Sequence, residues 1–243
     1  MSQAQNIVSS ATSYELVAQE YYDRERHPTC ANFRDASHIL FRKWLNLFVT
    51  CEHICEVGAG KSLLAEILFE EHRSLKALVL VDESPSMLAY SEAWRQAGVA
   101  MDLASASTLP YGPESFDVVA SCLGDPYNVI PFWSEVHRVL KDKGKCLFTT
   151  PSYEWARAFR ATTDTNAMHS SEFELGDGSF VSLPSHIYQQ CDQVRLIESG
   201  KLTVSEISHV SIQDLSEHKL SPKLVLRRGP EASIVTGYVA SKD

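Results

Sequence analysis

Apolar positions along the chain follow two helical rhythms and then a series of strand-length runs. Tyr14, Leu16, Val17, Ala18 and Tyr21 fall at spacings that predict a helix over residues 14–23. His27-Pro28 ends it, because the residue before a proline is pushed out of the helical region. A second helix is expected over about 31–49, with Phe33, Ile39, Leu40, Trp44, Leu47 and Phe48 as its apolar side. The rhythm then changes. His53-Ile54-Cys55-Glu56-Val57 reads as a short strand and Gly58-Ala59-Gly60 as a turn. Leu63, Leu64, Ile67 and Leu68 form one face of the helix that follows. Ala77 to Val81 is a continuous apolar run, as expected of a strand covered on both faces. Ser84-Pro85 opens a helix, with serine at the N-cap and proline at the first helical position. A weak strand over 99–104, a strong one over 116–123, a helix over about 132–140 and a strand over 145–150 complete the alternation. Gly144 is the expected left-handed residue after that helix, and Pro151 the stop of the last strand.

Alternating strands and helices over 50–151 predict a parallel sheet with helices on both faces. Residues 153–183 are richer in charged, Ser/Thr and Gly positions and read as an insertion. A helix over 185–199 follows, then strands over 202–212 and 234–239 joined by a polar connection at 216–230. The organisation expected is a helical lid or cap over 1–50 and one domain over 51–243.

Composition narrows the function classes. The 243 residues are 44% hydrophobic and 22% charged, an ordinary globular mixture. The net charge of −9 disfavours an extended nucleic-acid footprint. No apolar run approaches the roughly 18–20 residues of a membrane span. Residues 1–13 are polar and lack an apolar signal core, so a cytoplasmic location is expected. The six cysteines at 30, 51, 55, 122, 146 and 191 form no CxxC pair, which fits buried thiols in a reducing compartment and no metal site.

The chemistry begins at Glu56-Val57-Gly58-Ala59-Gly60-Lys61-Ser62, a glycine turn between a strand and its helix. Three readings compete. Gly60-Lys61-Ser62 matches the end of a phosphate-binding P-loop, but Cys55 stands where its first glycine belongs and Glu56 would face polyphosphate. A dinucleotide turn needs a third glycine at position 63, which is Leu63. The third reading is a turn for S-adenosylmethionine (SAM), which carries a diol and a cationic sulfonium but no phosphate.

Four blocks in order support that third reading. Glu56-x-Gly58-x-Gly60 resembles motif I of class I SAM-dependent methyltransferases. Val81-Asp82-Glu83-Ser84-Pro85-Ser86-Met87-Leu88, Leu109-Pro110-Tyr111 ahead of Ser115-Phe116-Asp117-Val118-Val119, and Glu135-Val136-x-Arg138-Val139-Leu140-Lys141 are similar to that family's later blocks. The resemblance covers about 55–151. It implies an α/β, doubly wound, mostly parallel seven-stranded sheet whose last strand is antiparallel, with SAM as cofactor and S-adenosylhomocysteine as product. It further implies that Glu56 holds the amino-acid end, with Gly58, Ala59 and Gly60 as the turn. Asp82 takes the ribose, Glu83 beside it belongs to the cofactor site, and Met87, Ser105, Ala106 and Ser107 surround adenine. Ser121 lies at the end of the next strand, and Tyr22 comes from a covering N-terminal segment. Ser62 in place of a third glycine fits helix capping, and no acid stands near Ser105 where the family has one for adenine.

Ligands of doubly wound folds gather at the carboxyl ends of strands, which places Gly124-Asp125-Pro126-Tyr127-Asn128 at the methyl-transfer position. This segment partly resembles the Asp-Pro-Pro-Tyr motif of amino-methyltransferases, and it reads equally as a plain Asp-Pro turn. Asp125 and Tyr127 are the candidate catalytic residues, with His27 as a candidate general base. Two classes of function stay open. One is methyl transfer to an O, N or C nucleophile of a small molecule. The other is methylation of RNA, DNA or protein, or SAM binding without catalysis. A homodimer is compatible with the sequence.

Overall fold

The computed structural model describes residues 10–48, 50–74, 78–160, 168–215, 219–225 and 231–243. Its N-terminal helices are α1 (Ser10–Val17) and α2 (Pro28–Lys43). The alternating region then gives β1 (Ile54–Val57), α3 (Leu63–Glu70), β2 (Leu78–Asp82), α4 (Pro85–Leu88), β3 (Ala100–Leu103), β4 (Phe116–Ser121), α5 (Ile130–Val139) and β5 (Leu140–Pro151). The remainder forms α6 (Tyr153–Phe159), β6 (Ser170–Glu174), β7 (Phe180–Pro184), α7 (Gln190–Ser199), β8 (Thr203–Ser211), α8 (Pro222–Val225) and β9 (Ser233–Ser241).

Seven strands form one sheet in the order β3-β2-β1-β4-β5-β9-β8. β1 to β5 pair in parallel, and β9 runs antiparallel to both its neighbours. The expected architecture is present, including the antiparallel last strand. Each face of the sheet has its own core. On one, Leu40 and Phe41 of α2 and Trp44 just after it meet Leu64 and Ile67 of α3 above Leu80, Val118 and Leu147. On the other, Phe132, Trp133 and Val136 of α5 and Ile197 of α7 meet Cys55, Val57, Val119 and Phe148. Each fully buried side chain of this size contributes about 1.5–3 kcal/mol. Exposed ion pairs such as Arg42 with Glu70 contribute about 0–1 kcal/mol, so burial on the two faces dominates stability.

Local chemistry explains where boundaries moved. α1 stops at Val17 instead of reaching residue 23: the N–H groups of Glu20 and Tyr21 both turn onto the Val17 carbonyl, and Asp23 then fixes a further turn with its carboxylate on the backbone N–H groups of Glu25 (2.9 Å) and Arg26 (3.2 Å). α2 starts at Pro28, three residues earlier than expected, with the proline in its first turn. Val49, at the expected end of that helix, lies outside the described residues. α5 ends without a glycine: Leu140 passes straight into β5 and pairs with Phe116. Gly144 is therefore a strand residue beside a register shift, where a Cβ would stand 2.8 Å from the Lys141 carbonyl. The helix expected from 185 begins at Gln190, because the backbone N–H groups of Ser185 and Ile187 bond to His169 and Met168 and prolong the β6–β7 hairpin.

Two expectations change shape. The insertion is an ordered α6 and a β-hairpin, with residues 161–167 outside those described. The N-terminal fifty residues are not all cap, since Phe33, Leu40 and Phe41 of α2 and Trp44 at its end lie in the sheet core. What lies across the sheet's end is α1 and the turns to His27. They pack through Val17 on Phe173 and Leu183 of the hairpin, a third and smaller cluster.

Candidate active site

The strand order reverses between β1 and β4, and the carboxyl ends of these strands and of β2 open a cavity there. Its floor is the turn between β1 and α3. Gly58 (φ 64°) and Gly60 (φ 42°) hold left-handed dihedrals. Both are also crowded: a Cβ on Gly58 would run into the Tyr127 hydroxyl, and one on Gly60 into the Tyr22 hydroxyl. Tyr22 reaches the turn from the N-terminal segment and accepts the Lys61 N–H at 2.8 Å. The Tyr127 hydroxyl donates to the Val57 carbonyl at 2.7 Å and bonds Ser121 Oγ at 2.8 Å.

Asp82, at the end of β2, lines the cavity together with Glu83, Ser84 and Met87. Its carboxylate accepts N–H bonds from Gly60 (2.8 Å) and Ser84 (2.9 Å), so one side chain ties the glycine turn to the start of α4. Burial pushes its pKa up to about 6, against those bonds. Ser84 caps α4 by accepting from Met87 N at 3.1 Å, as its position in Ser-Pro predicts. Ala104 and Ala106 form the next wall, and Cys122, Leu123, Pro126 and Tyr127 the far one. The roof is Tyr14, Tyr21, Tyr22, Cys30 and Ala31, with Arg24 and Arg34 at its margin.

Several expected site residues stand elsewhere. Glu56 is turned away from the cavity: its carboxylate accepts from Ser62 Oγ and from the N–H groups of Leu63 (3.2 Å) and Leu64 (3.4 Å) at the start of α3. Burial raises its pKa to about 7. A carboxylate on that helix N-terminus satisfies the donors a phosphate would need, which removes the P-loop reading. Ser105 and Ser107 hold their own turn, with Ser107 N–H on Ser105 Oγ at 3.4 Å, and the alanines between and before them face the cavity instead. Ser121 is buried under Tyr127 and acts through it.

Both remaining catalytic candidates are also displaced. The Asp125 carboxylate is bonded to Ser185 Oγ, which in turn accepts from Arg160 Nη2 at 2.6 Å. Pro126 and Tyr127 line the cavity and Asp125 stands behind them, its carbonyl taking the His186 N–H at 2.7 Å. Burial pushes its pKa up to about 6. His27 lies outside the cavity. Its ring stacks on Phe173 at 4.0 Å and its Nε2 is 3.2 Å from Glu20, so it fastens the N-terminal segment to the hairpin. Conversely, Tyr14 and Leu123 line the site although no motif marked them, and Tyr21, Cys30 and Arg34 line it from the polar, aromatic N-terminal segment expected to cover the cofactor. The signal for the two tyrosines was their spacing of seven on an apolar helical face, which core packing explains equally well.

Residues 55–148 match the family model of a methyltransferase domain. They are a class I SAM-dependent methyltransferase domain. Over 131 residues, 49% of the chain, the sequence is 30% identical to a ubiquinone/menaquinone biosynthesis C-methyltransferase of Rubrivivax gelatinosus, and the match spans 51% of that protein. Among solved structures, the CcbJ methyltransferase of Streptomyces caelestis is similar at 12% identity and a TM-score of 0.64, covering 97% of this chain and 100% of that one. The 1,6-didemethyltoxoflavin-N1-methyltransferase of Burkholderia thailandensis, solved with bound 1,6-didemethyltoxoflavin and S-adenosylhomocysteine, is similar at 14% identity and a TM-score of 0.56, covering 96% of this chain and 88% of that one. The cofactor of the methyltransferase domain is SAM, and the cavity fits it. Asp82 offers a carboxylate to a diol, and Met87, Ala104 and Ala106 offer an apolar slot to a flat base. Arg34, whose Nη1 lies 2.8 Å from the Lys61 carbonyl, sets a cation beside the turn for an amino-acid carboxylate. Among the described residues, no helix is long and apolar enough to cross a membrane.

Proposed function

We propose that the protein transfers a methyl group from SAM to an O, N or C nucleophile of a small molecule. The observation that carries this reading is the roof: Tyr14, Tyr21 and Tyr22 cover the cavity between the glycine turn and Pro126-Tyr127. A covered, aromatic-walled cavity suits a molecule that enters whole, whereas a macromolecule presents its reacting group from outside. The net charge of −9 acts in the same direction against nucleic acid.

In this reading SAM supplies an electrophilic methyl group on a sulfonium, and the chain supplies position and dryness. Asp82 holds the ribose, and Arg34 and the turn hold the amino-acid end. Tyr127, fixed at its hydroxyl by Val57 and Ser121, sets the wall between cofactor and acceptor. The roof excludes water, which accelerates an in-line displacement without a proton-transfer residue. Asp125 is a positioning residue here: through Ser185 it anchors the hairpin end that supports the roof.

Production of S-adenosylhomocysteine is the test. Purified protein and SAM are incubated separately with a small-molecule extract, RNA, DNA and protein. Turnover confined to the small-molecule arm is the expected result. Turnover with a macromolecule alone would overturn the proposal, and SAM binding without turnover in any arm would favour a regulatory module.

A further inference from the structure

The two roof tyrosines nearest the hairpin differ from every other tyrosine in the cavity. The hydroxyls of Tyr22 and Tyr127 are both occupied by protein partners. Tyr14 and Tyr21 also line the cavity, yet among the described residues no hydrogen bond reaches either hydroxyl. Their rings are held: Tyr14 meets Tyr21 edge-on at 5.7 Å, and Tyr21 stacks on Phe173 at 5.8 Å and meets Tyr22 edge-on at 5.1 Å. Both side chains are half-buried, and two phenols with fixed rings and no protein partner on the hydroxyl leave a place for a ligand's polar groups.

Their surroundings define that ligand. Burial raises both phenols well above their usual pKa, so they stay protonated and can donate as well as accept. The charges near them have other partners: Arg24 pairs with Asp35, Arg34 with Glu66 at the cofactor end, and Asp125 feels Arg160 through their shared Ser185, while Asp82 faces the ribose position. Leu123 and Pro126 of the far wall and Cys30 of the roof are apolar or weakly polar. We propose that Tyr14 and Tyr21 are the acceptor-recognition residues, and that they receive an uncharged, flat ring through hydrogen bonds to its oxygen or nitrogen substituents. This rests on the small-molecule reading above and adds residues and a chemical class to it.

The test uses full-length protein saturated with S-adenosylhomocysteine and three probes: 2-naphthol, naphthalene and 2-naphthoate. Ligand-observed NMR titration gives their affinities for the wild type and for Tyr14→Phe, Tyr21→Phe and the double variant. The wild type should bind 2-naphthol at least fivefold more tightly than naphthalene and than the anionic 2-naphthoate. Each single variant should lose about two- to fivefold for 2-naphthol, the scale of one neutral hydrogen bond, and nothing for naphthalene. The affinity for S-adenosylhomocysteine should stay within twofold throughout. Equal binding of 2-naphthol and naphthalene, tighter binding of 2-naphthoate, or no binding of any probe overturns the proposal. So does a single variant that keeps wild-type 2-naphthol affinity, or one that loses the cofactor product. Should the double variant fail to fold, the single variants decide alone. Failure of the wild type to bind S-adenosylhomocysteine would instead remove the methyltransferase reading beneath it.

Discussion

Asp82 is the residue on which most of the cofactor end converges. It bonds the turn at Gly60 and the helix start at Ser84 while facing the cavity. Asp82→Ala should weaken SAM binding by about 1.5–3 kcal/mol, the range of charge-assisted hydrogen bonds, as read by calorimetry. The pH dependence has a definite sign. Hydroxyl donors prefer the ionised carboxylate, whose pKa in the structure is about 6, so wild-type affinity should fall as pH drops below 6 while Asp82→Asn stays flat. Glu56 gives a stability prediction instead. Its folded pKa of about 7 exceeds its ordinary value, so its contribution to folding is fully present below about pH 4.5 and is lost as pH rises towards 7. The melting temperature of Glu56→Gln minus that of the wild type should therefore grow between pH 4.5 and 7.5, and a flat difference would contradict the buried placement. At this scale the sequence was legible where a residue's role is local. Ser62 and Ser84 cap their helices as their positions indicated. Glu56 and His27 stand elsewhere for different reasons: Glu56 has near neighbours, but the path of the glycine turn decides that it faces the N–H groups of Leu63 and Leu64, whereas His27 stacks on Phe173, 146 residues away in the chain.

At the scale of elements, the turn between β1 and α3 shows why two glycines are required there. Part of the requirement lies in the protein itself, because tyrosines from two distant segments occupy the space above them. Gly58→Val should abolish SAM binding and lower the melting temperature, since it displaces Tyr127 as well as straining φ. Lys61→Ala should do little, and the opposite ranking would reopen a phosphate-binding role for that lysine. The N-terminal segment depends on the hairpin: His27 and Tyr21 both stack on Phe173, and Glu20 accepts the Gly176 N–H at 3.1 Å. Phe173→Ala should speed hydrogen exchange across 14–27 and leave β1 to β5 unchanged, as read by mass spectrometry. The alternating elements were readable because their apolar runs are continuous and their caps local. The hairpin was not, since β6 and β7 carry exposed polar residues such as Glu172 and Ser182 and show only one buried apolar residue each.

For the whole molecule, a ligand that binds only the folded state raises its stability by mass action. At one hundred times its dissociation constant SAM should contribute about 2.7 kcal/mol, or roughly 5–10 °C in melting temperature for a chain of this length. ATP–Mg and NAD at equal concentration should give no shift. The parallel alternation over 50–151 followed from a sequence pattern that repeats, whereas the strand order and the roof had to be seen, the roof because it joins residues near 20 with residues near 175 that share no pattern. That junction has a consequence for how such a chain diversifies. Val17, Phe173 and Leu183 form a cluster separate from the two that bury the sheet. Substitutions there, and at the two unpartnered tyrosines above the cavity, sit apart from the side chains that dominate stability, so their energetic effects should add independently of the main cores. Selection can therefore retune which molecule the cavity receives while the strands and the glycine turn stay fixed, and a laboratory library confined to the roof should yield altered ligand preference in variants that still fold.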